Sequence, residues 1–215
     1  MRALHEQRVR DTIVFFGSAR IAATGPMQRY YDEARELARA VTAWSMTLEG
    51  PAHGRVVCSG GGPSIMEAAN RGAAEAGRES IGLNIVLPHE QMPNRYVTPD
   101  LSFQFHYFAL RKMHFLLRAR AVAVFPGGFG TFDEMFELLT LIQTGKVRPL
   151  PILLFGREFW TRVVDFEGLV EEGVIAPHDL DLIHWTEDAG EAWEFVQNFY
   201  ADHPAAPVIQ TGPPE

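Results

Sequence analysis

The feature that most constrains the fold is the alternation of short apolar runs with segments of helical periodicity. Residues 12–16 (TIVFF) form the first run, and residues 121–125 (AVAVF) form the most apolar one. Between such runs, apolar residues recur three and four positions apart, as in residues 30–41, which is typical of a helix with one buried face. Strands that alternate with helices build βαβ units and a parallel sheet. The sequence therefore predicts an α/β fold, a Rossmann-like three-layer sandwich with a parallel sheet flanked by helices.

The remaining elements follow the same alternation. Further strands are predicted at 55–58, 80–86, 101–105, 151–155 and 182–185, and further helices after the glycine run at 60–62, around 111–118, at 132–143, after Arg157 and at 192–200. Gly77 is expected to cap the second helix at its C-terminus. We expect residues 1–203 to form one Rossmann-like domain and residues 204–215, which are rich in proline, to be disordered.

Length and composition bound the class of protein. The 215 residues include one cysteine, and the formal net charge is −8. A single cysteine excludes an intrachain disulfide framework and favours a reducing cytoplasm. The negative charge gives no support to nucleic-acid binding. No apolar run approaches the roughly 20 residues that span a bilayer, and no signal peptide is recognisable. We therefore expect a cytoplasmic protein whose partner is a small molecule rather than a nucleic acid or a membrane.

Three turns after predicted strands carry glycine or small polar residues. They are 17–18 (GS), 59–62 (SGGG) and 127–131 (GGFGT). In a parallel sheet these turns meet at the carboxyl edge, where ligands of open α/β folds bind. Glycine permits close approach of the backbone, and the next helix offers unpaired N–H groups. Each turn alone is equally well explained as a tight turn, but three together favour a phosphate site. Neither GxxxxGK[ST] nor GxGxxG occurs, which argues against an NTPase P-loop and the usual dinucleotide fingerprint.

Two charged clusters are candidates for the chemistry. Glu134 and Glu137 share one face of the helix that follows the GGFGT turn. The preceding helix carries Arg111 and Lys112. These two residues either lie at the same edge of the sheet or form an ordinary solvated basic pair. Asn84, Glu90, Gln91 and Asn94 surround a proline-rich loop and are candidates for reading a base or sugar. The histidines show no metal-ligand spacing, and neither a metal nor a cofactor is expected.

The combined motifs resemble those of the Lonely Guy (LOG) family, formerly labelled "possible lysine decarboxylase". PGGFGTFDEMFE matches the signature PGGxGTxxE, and FGSARI, SGGGPSIMEAANRGA and FALRKMHF extend the match over about residues 12–160. The phrases LNIVLPHEQMPNRY and LTLIQTGK are more similar to the longer bacterial (type II) branch than to the plant enzymes.

This resemblance implies a phosphoribohydrolase that converts cytokinin riboside 5′-monophosphates or AMP to the free base and ribose 5-phosphate. It implies Arg111 and Glu134 as the catalytic pair. It places Gly127, Gly128, Gly130 and Thr131 at the phosphate, with Gly61 and Gly62 nearby, and Glu137 at the ribose. We further expect Ser18 to bind the phosphate and Asn84 and Lys112 to bind the ribose or base. The resemblance also implies a homodimer or higher homo-oligomer, for which we expect apolar helix surface near Phe108, Phe115 or Leu138.

Residue chemistry agrees with this activity and leaves two alternatives to weigh. A carboxylate stabilises the oxocarbenium-like charge that forms as a base leaves ribose. Arg111 either counters charge on the departing base or fixes the phosphate. A pyridoxal-phosphate decarboxylase would need a Schiff-base lysine, and the chain has only Lys112 and Lys146. A non-catalytic nucleotide or pterin-cofactor carrier on the same fold is the stronger alternative, because fold does not determine function.

Overall fold

Seven strands form one parallel sheet in the described part of the chain, which comprises residues 9–47, 55–86 and 92–202 of a computed structural model. They lie in the order β4-β3-β2-β1-β5-β6-β7, and every neighbouring pair is parallel. Their bounds are β1 Asp11–Phe16, β2 Arg55–Ser59, β3 Ser80–Ile85, β4 Ser102–Phe105, β5 Ala119–Val124, β6 Ile152–Phe155 and β7 Ile183–Thr186. The predicted parallel sheet is confirmed.

Seven α-helices connect these strands within the same ranges. They are α1 Gln28–Met46, α2 Ile65–Glu75, α3 Phe108–Leu116, α4 Phe129–Gln143, α5 Arg157–Val163, α6 Phe166–Glu171 and α7 Ala189–Asp202. Short 3-10 turns lie at Pro99–Leu101 and Pro177–Leu182. None of the helices in the described ranges is long and apolar enough to cross a membrane.

The central strand β1 shows why the sheet is covered on both faces. Ile13 and Phe15 belong to a cluster with residues of α1, α2 and α7, whereas Val14 and Phe16 belong to a cluster with residues of α3–α6. Successive side chains of a strand point to opposite faces, and all four of these are buried. A strand that is apolar at every position requires helices on both sides, and the three-layer arrangement is confirmed.

Two local predictions differ from the structure, and a third is confirmed. Helix α4 begins at Phe129 rather than at residue 132, because Gly128 already acts as its N-cap and the second half of GGFGT forms the first turn. The helix after Arg157 is two short helices, because the backbone at Val164 is extended. Gly77 has φ +84° after the end of α2, which confirms the predicted glycine cap. The predicted disordered tail and the loop residues Glu90 and Gln91 lie outside the described residues.

The order in which the strands are added to the sheet reverses between β1 and β5. From β1 it passes to β2 on one side, and from β5 it passes to β6 on the other, although β1 and β5 are hydrogen-bonded neighbours. The connections that leave their carboxyl ends therefore diverge and open a crevice, which is where ligands of open α/β sheets bind. The backbone N–H of Ser18 bridges this point by donating to the Pro126 carbonyl at 3.0 Å.

Candidate functional site

A cavity of about 730 Å³ lies at this crevice. Its size is within the roughly 300–1,000 Å³ typical of small-molecule sites. Most of its walls come from the connections after β1, β2 and β5 and from the end of β3. The lining residues are Phe15, Phe16, Gly17, Ser18, Ala19, Arg20, Gly60, Gly62, Met66, Asn84, Ile85, Arg111, Gly128, Phe129, Gly130, Thr131, Phe132, Glu134 and Val163. The turns that the sequence singled out thus surround one space.

Arg111 and Glu134 meet in this cavity as an ion pair. Arg111 lies on α3 and Glu134 on the second turn of α4, and an Nη of the arginine donates to Oε1 of the glutamate at 2.7 Å. Each side chain is only 11% exposed. The guanidinium also lies over the rings of Phe108 and Phe115, at 5.2 and 5.6 Å from their centroids. Its Nε is buried without a hydrogen-bond partner. The pair is therefore held in place while one donor of the arginine is still unused.

Burial dominates the electrostatics of Glu134. Desolvation raises the pKa of this carboxyl to about 7, because the low-dielectric surroundings disfavour its charged form, and the Arg111 guanidinium opposes the shift. Asp133 and Glu137 raise the pKa further and Lys112 lowers it. The folded pKa lies above the roughly 4.3 of an unfolded glutamate. The bound proton therefore stabilises the folded chain at low pH, and this contribution is lost as the pH rises toward 7.

We expect the Glu134 carboxyl to titrate with a midpoint near neutral pH in the ligand-free protein. Carbon-13 NMR of labelled glutamate side chains, compared between the wild type and Glu134→Gln, identifies its signal. The Arg111→Gln substitution should move the midpoint upward, because the guanidinium favours the carboxylate. A midpoint near 4 in the wild type, or a downward shift in the arginine variant, would contradict this account of the pair.

The GGFGT turn places the start of α4 against the cavity. Gly128 is the N-cap and provides no side-chain cap for the first N–H groups, and no acidic residue lies in the first turn. A Cβ atom at Gly128 or Gly130 would meet nothing within 4 Å, so both positions border open space. Gly127 is different, because its Cβ would lie 2.2 Å from the hydroxyl of Thr131, which folds over it. The turn therefore presents unpaired N–H groups and a positive dipole end to the cavity.

The SGGG turn after β2 is held by a network of buried amides. Asn94 donates from its side chain to the Gly62 carbonyl and to Asn70, both at 2.9 Å, and its backbone N–H donates to Gly61. Gly61 has φ +70°, and a Cβ there would meet the Asn84 amide at 2.6 Å. Asn94, a candidate for reading a base, is therefore used to brace the turn. Asn84 lies at the cavity wall as predicted.

Four of the candidate residues do not contact the cavity. Lys112 lies 2.7 Å from Asp133 and 2.9 Å from Glu137, so that Lys112 and Glu137 form an ion-pair cluster beside the site. Gly61 and Gly127 shape the turns from behind the lining residues Gly60, Gly62 and Gly128. All four were expected at the substrate, whereas the structure places them in supporting positions around the cavity.

The prediction of an interface near Phe115 or Leu138 is wrong for these two residues. Phe115 is 1% exposed and Leu138 is 0% exposed, because both face the sheet and belong to the core. Phe108 is exposed as expected. Exposed apolar side chains near the site include Tyr107, Phe108, Leu110 and Met113 at α3 and Phe129, 97% exposed, at the start of α4.

The sequence analysis missed several cavity residues. Met66, Phe129 and Val163 supply apolar walls, and Arg20 supplies a second guanidinium. Arg20 lies two residues beyond the first glycine turn, which was the available signal for it. In the described ranges no group of three or more histidine, cysteine or acidic side chains is placed to hold a metal ion. Burial raises the pKa of the Cys58 thiol, which disfavours the reactive thiolate.

Fold and site together define an α/β protein with a glycine-rich helix start and a buried arginine–glutamate pair in one cavity. The sequence model of the family described as "Possible lysine decarboxylase" matches residues 66–196. The chain therefore belongs to this family, the Lonely Guy family. A relative named "Probable cytokinin riboside 5′-monophosphate phosphoribohydrolase LOGL3", from Oryza sativa subsp. japonica, is 25% identical over 206 residues, covering 92% of this chain and 88% of the relative.

Solved structures share the fold at lower identity. The X-ray structure of TM1055, a structural genomics target, has a TM-score of 0.60 at 21% identity and covers 87% of this chain and 99% of its own. The Moco carrier protein from Chlamydomonas reinhardtii has a TM-score of 0.57 at 22% identity and covers 90% of this chain and 99% of its own. These likenesses confirm the fold, and one of the two structures is of a protein named as a carrier.

Proposed function

We propose that this protein hydrolyses the N-glycosidic bond of a nucleoside 5′-monophosphate, either a cytokinin riboside monophosphate or AMP, to the free base and ribose 5-phosphate. The observation that carries the proposal is the buried Arg111–Glu134 pair in the same cavity as the open N-terminus of α4. The names of the phosphoribohydrolase relatives support the same reaction.

Glu134 would act where positive charge develops. As the bond between C1′ and the base nitrogen breaks, the ribose gains oxocarbenium character, which a nearby carboxylate stabilises. A water molecule adds to C1′, and the departing base takes up a proton. With a pKa of about 7, Glu134 is also suited to orient the water and accept its proton near neutral pH.

The Arg111 guanidinium would hold the carboxylate in position. Its contacts with Glu134 and with the rings of Phe108 and Phe115 fix its plane inside the cavity. Its buried Nε–H has no protein acceptor, and the guanidinium contacts the carboxylate through an Nη. Arg111 therefore orients the carboxylate.

A non-catalytic carrier is the second candidate, and the likeness to the Moco carrier protein is the observation that favours it. A carrier needs a cavity and a phosphate site but no carboxylate of raised pKa beside the ligand. Glu134, which is buried at a cost in folding free energy at neutral pH, therefore favours the enzyme.

The proposed reaction is tested by comparing AMP with adenosine. We expect adenine release from AMP, detected by chromatography, and a kcat/KM for adenosine that is at least about 10²-fold lower. The reason is that the unpaired N–H groups of α4 and the positive charge of the cavity bind a phosphate, which adenosine lacks. An N6-substituted AMP analogue in the same assay tests the preferred base. Equal turnover of adenosine and AMP would contradict the phosphate site, and tight AMP binding without any adenine release would favour the carrier.

We also propose that the protein acts as a homo-oligomer joined through the exposed apolar surface of α3. This helix exposes Leu110 and Met113, and it also exposes Phe108, whose ring lies against the Arg111 guanidinium. A second copy that covers this surface would exclude water from the arginine. Sedimentation velocity should show a dimer or larger species, and Met113→Asp should raise its dissociation constant about tenfold or more. A fully active monomer at nanomolar concentration would refute this proposal.

A further inference from the structure

The charged groups of the cavity leave one cation without a partner. In the described part of the chain, the ionisable side chains that line the cavity are Arg20, Arg111 and Glu134. The positive charge of Arg111 is already opposed by Glu134 at 2.7 Å. Lys112, the nearest other cation along the chain, is paired with Asp133 and Glu137 and does not line the cavity. A phosphate ester, with a charge of about −1.5 to −2 at neutral pH, needs a cation that is not already neutralised.

The backbone of Arg20 is held at the cavity by hydrogen bonds of its own turn. The preceding Ser18 donates through its N–H to the Pro126 carbonyl and accepts from the N–H of Ile65 at 3.3 Å. Its hydroxyl accepts from the backbone N–H of Arg20 at 2.9 Å. This short connection therefore joins the turns after β2 and β5. The Arg20 guanidinium is exposed and forms no ion pair within residues 9–47, 55–86 and 92–202.

The start of α4, across the cavity from Arg20, has no acidic side chain in its first turn. Gly128 caps α4 without a side chain, the first turn contains no acidic residue, and the space above Gly128 and Gly130 is open. Unpaired N–H groups at a helix N-terminus favour an anion. The same cavity therefore offers a phosphate the N–H donors at the start of α4 and the positive charge of Arg20.

We propose that Arg20 is the cation that binds the 5′-phosphate of the substrate, together with the N-terminus of α4, so that Arg111 remains paired with Glu134 during binding. This assignment rests on the proposed function, and it gives the two arginines different tasks. If Arg111 bound the phosphate instead, its single positive charge would have to serve both the phosphate and the buried Glu134 carboxylate. Arg20 acts without such a conflict, because among the described residues it has no ionic partner to give up.

The test uses ribose 5-phosphate and inorganic phosphate as probes in calorimetry with the full chain. We expect Arg20→Gln to weaken ribose 5-phosphate binding about tenfold or more, the size expected for a charge-assisted hydrogen bond, and Arg20→Lys to restore part of it. In kinetics, Arg20→Gln should raise the KM for AMP with little change in kcat and should leave adenosine kinetics unchanged. Arg148→Gln is the matched control, because this exposed arginine precedes β6 at the opposite edge of the sheet.

The outcomes separate this inference from the proposed function. If the wild type hydrolyses AMP and Arg20→Gln binds ribose 5-phosphate as tightly as the Arg148 control, the assignment of Arg20 is wrong. If Arg111→Gln alone loses this binding, the phosphate belongs to Arg111. If the wild type releases no adenine but Arg20→Gln still loses phosphate binding, the assignment of Arg20 stands and the hydrolase proposal fails.

Discussion

Glu134→Gln is expected to lower kcat for AMP hydrolysis by about 10² or more, with the Kd for AMP within a few-fold of the wild type. A loss of this size, about 3 kcal/mol, is typical of one well-placed electrostatic group. Glutamine keeps the size of the side chain and can still accept a hydrogen bond from Arg111, which lies 2.7 Å from Oε1. It removes the negative charge that opposes the oxocarbenium-like centre. Because that charge acts chiefly in the transition state, the ground-state affinity should be spared.

Calorimetry with AMP and chromatographic assay of adenine measure the two quantities on the same preparation. Asp133→Asn is the matched control, because it removes one negative charge from the neighbouring position, where the side chain is 53% exposed and paired with Lys112. We expect this control to retain activity within a few-fold. If Glu134→Gln also hydrolyses AMP within a few-fold of the wild type, Glu134 is not the catalytic carboxylate, and a carrier becomes the better explanation of the cavity.

The layered fold could be predicted because its signal is local. A run such as residues 121–125, apolar at every position and bounded by turn residues, is typical of a strand buried on both faces of a sheet, and the observed β5 is buried at nearly every residue. Glycine turns after such strands then lie at the carboxyl edge whatever the order of the strands. The start of α4 was less predictable, because Gly128 and Gly130 weaken the helical pattern over a turn that tertiary contacts nevertheless make helical.

Side-chain partners were harder to predict from the sequence than the fold, because they depend on contacts between distant segments. Arg111 and Lys112 are adjacent in sequence, but one points into the cavity and the other binds Asp133 outside it. Periodicity alone does not choose between them, because α3 is only nine residues long. The same limit explains Phe115 and Leu138, which face the core because the sheet lies on that side of their helices. No sequence pattern marks Arg20 as a cavity residue, because its position at the cavity depends on three turns that meet only in the folded chain.

Arg111→Ala is expected to lower kcat/KM for AMP by about 10² or more at neutral pH, for a different reason from Glu134→Gln. The guanidinium opposes the effect of burial on Glu134. Its removal should raise the pKa of this carboxyl above 7, so that most of the protein carries a protonated, inactive Glu134. Removing one partner of a buried pair also costs about 3–5 kcal/mol of folding stability. Thermal melts must therefore accompany the assay, and Arg111→Lys serves as the variant that keeps a positive charge.

The pH dependence distinguishes positioning of the acid from binding of the phosphate. If Arg111 acts on Glu134, the activity of Arg111→Ala should recover in part as the pH rises above 7, because the carboxyl then ionises without its partner. Added guanidinium ion should rescue it in the same direction, and the Kd for ribose 5-phosphate should change little. If that Kd instead rises as much as kcat/KM falls, at every pH, Arg111 holds the phosphate and its pairing with Glu134 is broken when substrate binds. Wild-type activity in Arg111→Ala would contradict both roles and remove the main support for a hydrolase.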